Sequence, residues 1–312
     1  MAAAGAGAAG DREGARPESS GLVAAADPRL LAHLERLAAP RMVFFAGLPG
    51  TGKSLLTHQL AHLAHAAGRA VHLLQWDVAR PAVEASEAGR RYPVRDGVSH
   101  PVVRIAAGLW AREAVARWAV RAGPREMLIG ETPFVGHRFI ELARCADDAA
   151  EPHLAAPACR FVVPVPSRAV RTHLEAERER RAARPLHARE VEDAPPRVLR
   201  DLWGAVVEAA AALGLAAGAG AGDPTAAAGG APAYDPATYR GVYQALLAHR
   251  HADTMPLETI LPTGALSVYA FSIPCVDLVP TPEEAARCIG EVEARYRDAA
   301  ALDDAVARWW EV

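Results

Sequence analysis

Met42-Val-Phe-Phe-Ala-Gly47-Leu-Pro-Gly-Thr-Gly-Lys53-Ser54 is the stretch from which the rest of the chain can be read. Its first five residues, an apolar run between Pro40 and Gly47, predict a short buried strand. Residues 47–54 then fit the spacing G-x-x-x-x-G-K-[ST] in full, and residues 55–67 continue as a predicted helix. Glycines at those places let the backbone curl until successive N–H groups point inward, and the start of the helix adds positive potential at the same spot. Such a cradle fits phosphate oxygens. A lysine at position 53 reaches the β- and γ-phosphates of a nucleoside triphosphate, and the hydroxyl at position 54 reaches Mg²⁺.

Composition sharpens this reading. The chain has 312 residues and 34 basic side chains, of which Lys53 is the only lysine, and asparagine is absent. With 25 glycines and 18 serines and threonines, the motif's glycines and hydroxyl surround a given lysine by chance roughly 4 times in 10,000. The loop is therefore no accident of an Ala/Gly/Pro/Arg-rich sequence. A formal charge of −3 gives no support for a protein that coats nucleic acid. No run of 18 apolar residues escapes helix breakers, so no membrane span is predicted, and no secretory signal is read in the N-terminus. The four cysteines form no C-x-x-C pair and read as buried thiols of a cytoplasmic protein.

Outward from the loop, the pattern alternates strands and helices. Residues 1–26 hold too little large apolar content to pack and read as a disordered low-complexity tail; residues 27–312 read as one domain. Asp27-Pro28 opens a helix to about residue 37, and 70–76 is a second strand. Residues 78–101, rich in Gly, Pro and Arg, read as loop, and 102–121 as helix. Further strands are expected at 127–130, 161–165 and 266–271, with helices at 167–183, 198–213, 235–249 and from Thr281. Residues 214–233 read as a flexible Ala/Gly insertion. The alternation predicts an α/β fold with a mostly parallel sheet and helices on both faces.

In its loop and in this order of elements, the chain resembles the P-loop NTPase superfamily, and within it the branch of kinases acting on nucleotides and small metabolites. The resemblance implies a three-layer fold with a helical lid over about 167–200, ATP as phosphoryl donor and Mg²⁺ as cofactor. The nucleotide-binding set is then Gly47, Leu48, Pro49, Gly50, Thr51, Gly52, Lys53, Ser54 and, one turn into the helix, Thr57. A GTPase would need an N-K-x-D motif, for which this chain has no asparagine and no second lysine. A motor or AAA-type ATPase ends its strand with two carboxylates, where Met127-Leu-Ile-Gly-Glu131 has one.

In the kinase-like reading, Asp77 takes the acceptor hydroxyl's proton, or else merely caps a turn. Glu131 holds Mg²⁺ together with Ser54. Arg181 and Arg184, in the arginine-dense stretch Arg178, Arg180, Arg181, Arg184 and Arg189, close over the phosphates, or else form a solvated face. Arg197 and Arg200, beside Pro195-Pro196, are a hinge or plain surface. Arg80, Arg90, Arg91 and Arg95, near Asp96 and His100, imply a small anionic acceptor, or a solvated loop. The alternative from another class is a non-transferring ATPase or a nucleotide-gated regulator working through a protein partner. His58, His62 and His65 share one helix face and read as its polar side rather than as a metal stripe. Trp309-Trp310 reads as the dock of a last helix. The sequence fixes neither the acceptor nor the oligomeric state.

Overall fold

β1 (Met42–Ala46) is buried along its whole length, which a strand can be only where both faces of its sheet are covered. The computed structural model describes residues 21–192, 196–215 and 232–312. Most of the predicted tail and nearly all of the predicted 214–233 insertion lie outside the described residues. β2 (Ala70–Gln75), β3 (Glu126–Thr132), β4 (Cys159–Pro166), β5 (Ala252–Leu257) and β6 (Val276–Asp277) join β1 in one sheet, ordered β5-β4-β1-β3-β2-β6. Every neighbouring pair is parallel.

The helices are α1 (Pro28–Leu37), α2 (Lys53–Ala66), α3 (Trp76–Ala85), α4 (Pro101–Arg121) and α5 (Glu151–Leu154), then α6 (Arg168–Ala183), α7 (Pro196–Ala212), α8 (Pro236–Leu246), α9 (Pro282–Arg295) and α10 (Ala299–Ala307). Alternation along β1 sorts them into two layers. Met42, Phe44 and Ala46 face a core shared with α4, α7, α8 and α9, whereas Val43 and Phe45 face α1 and α2. Phe44 stacks on Phe161 of β4, ring centroids 5.1 Å apart. Its ring also fills the place of a side chain on Gly130, its partner in β3, where a Cβ would come within 2.1 Å. The chain adopts the predicted α/β fold, a parallel sheet with helices on both faces.

Register places the strand ends. Phe45 and Gln75 both lie opposite Glu131, so the 47–54 loop, Glu131 and Asp77 leave the sheet at one edge. Carboxyl ends of parallel strands are where open α/β sheets collect ligands.

Several expectations change. The 78–101 segment is not all loop, because α3 begins at Trp76 directly after β2 and carries Asp77 in its first turn. Val268–Phe271 is a 3₁₀ turn capped by Ser267, not a strand. The outer strands are instead β5 and the two-residue β6, whose short, half-exposed sequences carry little apolar signal. Residues 21–26 of the predicted tail are packed: Val23–Ala26 form a 3₁₀ turn, and Gln59 of α2 bonds the backbone of both Gly21 and Ala24, at 2.7 and 2.9 Å. The histidine face of α2 is not a polar surface either. His58 is buried and His62 meets the carbonyl of Phe271 at 2.9 Å, so the 268–271 turn covers it and only His65 is exposed. Of the cysteines, Cys159 and Cys288 are buried, but Cys145 is exposed and Cys275 half-buried. Trp309 is buried beside α10.

Candidate functional site

Between β1 and α2 the chain turns on residues 47–52. Gly50 and Gly52 have φ of +74° and +87°, the left-handed region that side chains resist. Gly47 is required for a different reason: a Cβ there would sit 2.1 Å from the hydroxyl of Tyr239, on α8. The loop is pinned by its own backbone. Gly47 N–H donates to Thr132 O at 3.0 Å, and Leu48 O accepts from Thr51 Oγ1 at 2.8 Å and from Lys53 Nζ at 2.9 Å. Gly52 offers no side chain to cap α2, which leaves the first N–H groups of that helix without a side-chain acceptor.

Three predicted residues meet at this point. Glu131 Oε1 lies 3.5 Å from Lys53 Nζ and accepts from Ser54 Oγ at 3.2 Å. Lys53 is only 3% exposed. Burial pushes its pKa down, while the charges of Glu131 and Asp77 work in the opposite sense. Burial pushes the Glu131 carboxyl up, and Lys53 opposes that. Both charges are thus held in a place that disfavours them and rewards further pairing. Asp77, two residues past the end of β2, is exposed and lies within electrostatic reach of both. Thr57 is buried in α2, its hydroxyl without a hydrogen-bond partner among the described residues.

α6 approaches the loop from the other side. Ser167 caps it, accepting from Val170 N at 3.3 Å. Arg171, 2% exposed, donates to Pro49 O at 2.9 Å and to Glu175 at 2.6 Å, with its guanidinium 5.5 Å from the Tyr234 ring centre. Seven residues along, and so on the same face, Arg178 lies within electrostatic reach of Lys53. The two arginines predicted to act lie farther along α6 and at its end. Arg181 pairs with Glu190 at 2.8 Å and donates to Leu266 O at 3.0 Å; Arg184 is exposed at the helix end. Sequence reasoning does not single out Arg171, whose only signal is its seven-residue spacing from Arg178.

The arginines after β2 disperse. Arg80 pairs with Glu84 at 2.7 Å and Arg91 with Glu293 at 2.9 Å, while Arg90 and Arg95 are exposed. His100 caps α4, accepting from Val102 N at 3.2 Å. Arg197 and Arg200 belong to the first turns of α7.

Chemically, the edge offers a buried ammonium, a hydroxyl and carboxylate of the hard-oxygen kind that suits Mg²⁺, a helix start with no side-chain cap among the described residues and an exposed carboxylate beside them. Among the described residues no helix is long and apolar enough to cross a membrane. No protein-family model, curated protein or solved structure matches this chain.

Proposed function

We propose that the chain binds ATP with Mg²⁺ on the 47–54 loop and transfers the γ-phosphoryl group to a hydroxyl of a small anionic acceptor. The observation that carries this reading is the convergence of Lys53, Ser54 and Glu131 within hydrogen-bonding or ion-pair distance, with Asp77 in the first turn of α3 within electrostatic reach of them. The residues fit the donor: the start of α2 and the buried Lys53 suit the phosphates, and Ser54 with Glu131 suits Mg²⁺. Mg²⁺ supplies neutralisation of phosphate charge when bound.

The chain's own groups do the rest. Lys53 holds the β- and γ-phosphate oxygens and disfavours their escape. Asp77 accepts the proton of the acceptor hydroxyl as the new oxygen–phosphorus bond forms and the bond to the ADP oxygen breaks. Arg178 adds positive charge on the side facing Lys53, and Arg171 fixes α6 to the loop through Pro49.

The test is ATP consumption by the full chain across pools of hydroxyl-bearing carboxylates and phosphate monoesters. Consumption that depends on one pool and yields its phosphorylated product is the expected result. Slow hydrolysis indifferent to every pool, accelerated only by a protein, would replace transfer with the regulator reading.

A further inference from the structure

Just beyond β3 the backbone does something costly. Phe134, Gly136, His137 and Phe139 all have φ between +60° and +65°, three of them non-glycine and two of them bulky. Strained segments of this kind persist where surrounding structure over-determines them, and they gather at ligand sites. Here the surroundings are clear. Phe134 and Arg138 bond each other's backbones in both directions, at 2.8 and 3.0 Å. Both phenylalanines are fully buried, Phe139 edge-on to Trp76 with ring centroids 5.3 Å apart. Trp76 directly precedes Asp77, so the turn is locked to the residue proposed as the base.

What the turn displays is two arginines. Arg138 donates to Val135 O at 2.8 Å, and Arg104 arrives from α4 to donate to Gly136 O at 2.7 Å. Their Nη1 atoms crowd one point, 2.6 and 3.3 Å from where a Cβ on Gly136 would stand. Among the described residues neither forms an ion pair with a carboxylate, and the buried Arg104 Nε has no hydrogen-bond partner. Asp303 acts on Arg104, and Asp77 on Arg138, only through space. Burial lowers both guanidinium pKa values to about 10, and for Arg104 the charge of Arg138 adds to the effect. Two guanidiniums rarely share such a place without an anion.

We propose that Arg104 and Arg138 seat an oxyanion, the carboxylate or phosphate monoester of the acceptor, beside Asp77. This rests on the transfer reading above and narrows it: the acceptor is an alcohol carrying such a group, and its seat is the turn after β3 rather than the arginines of 80–95. A fork of guanidinium donors binds either oxyanion through paired hydrogen bonds.

The experiment uses the full chain saturated with Mg²⁺ and a non-hydrolysable ATP analogue, so that the 47–54 loop is filled. Inorganic phosphate and, separately, acetate are titrated at constant ionic strength by calorimetry. Saturable binding of at least one is expected in the parent, with the tighter of the two naming the acceptor's group. Arg104→Gln and Arg138→Gln should weaken it tenfold or more while analogue affinity stays within twofold. Phosphate and acetate that fail to saturate, or that bind both variants as they bind the parent, would overturn the proposal. Should a variant not fold, phenylglyoxal labelling of the parent replaces it. The preferred anion should slow modification of Arg104 and Arg138 at least fivefold, and equal labelling with and without it overturns the seat. Analogue binding is read in the same titrations. Its absence beside arginine-dependent anion binding would count against the ATP reading and leave the oxyanion seat standing.

Discussion

Gly47 shows how one missing side chain ties the loop to a distant helix. Its Cα faces the Tyr239 hydroxyl so closely that a Cβ would stand 2.1 Å away, against 3.5 Å from the ring carbon that bears the hydroxyl. Gly47→Ala should therefore cost about 1–3 kcal/mol of stability, the usual range for overpacking. Tyr239→Phe removes the offending oxygen, so the double variant should recover part of that loss in a thermal melt. Equal melting of Gly47→Ala and the double variant would show that the contact is not the cause. Asp77 is argued on chemistry instead. Asp77→Asn keeps the shape but not the base, so acceptor-dependent turnover should fall by about 10²–10⁴ with ATP affinity within a few-fold of the parent. A carboxylate that only caps α3 would be replaced by asparagine with little effect, and near-normal turnover would remove the proposed base.

Among the elements, α6 divides its arginines between two tasks. Arg171 holds the helix to Pro49, and Arg178 shares its face, whereas Arg181 is occupied by Glu190 and Arg184 lies exposed. Arg171→Ala should lower kcat, since the helix loses its anchor on the loop, and Arg184→Glu should leave turnover unchanged. Steady-state kinetics of the two variants side by side check this, and the reverse order would return the active role to the helix end. α2 carries a pH dependence. Burial, helped by the charge of Arg189, lowers the His58 pKa from 6.5 to about 4. Between those values the unfolded chain takes up a proton that the folded chain refuses, so stability falls as pH drops from 6.5 toward 4. The full effect is on the order of 3 kcal/mol. His58→Gln should flatten that part of the stability–pH curve in urea titrations, and an unchanged slope would assign it to other groups.

Across the molecule, legibility followed apolar density. β1, α2 and the turn between them could be read because an apolar run, glycines at left-handed positions and a long helical stretch each have a strong local signal. β5 and β6 could not, since these edge strands bury few of their residues and Pro256 breaks the pattern of the former. Trp76–Ala85 was hidden by Pro81 inside the helix, a residue that reads as a breaker. Lys53, Ser54, Glu131 and Asp77 were all visible in sequence, because strand ends can be placed from strands. The arginines could not be sorted in a chain so rich in them: which ones face the loop depends on pairings such as Arg181 with Glu190 and Arg80 with Glu84, made by tertiary contact. Arg104 lies inside a helix with no local signal, and it meets Arg138 only because α4 packs beside the turn after β3.

The transfer reading proposed for this chain depends on a nucleoside triphosphate occupying the 47–54 loop through Lys53. Calorimetric titration of the full chain, Lys53→Ala and Lys53→Arg with ATP and Mg²⁺ tests that dependence, with circular dichroism to check that each variant is folded. The parent should bind one equivalent. Both variants should lose at least a hundredfold in affinity, arginine included, because a planar guanidinium does not take the place of a compact ammonium. Parent-like binding by folded Lys53→Ala, or no binding by the parent, would contradict the account.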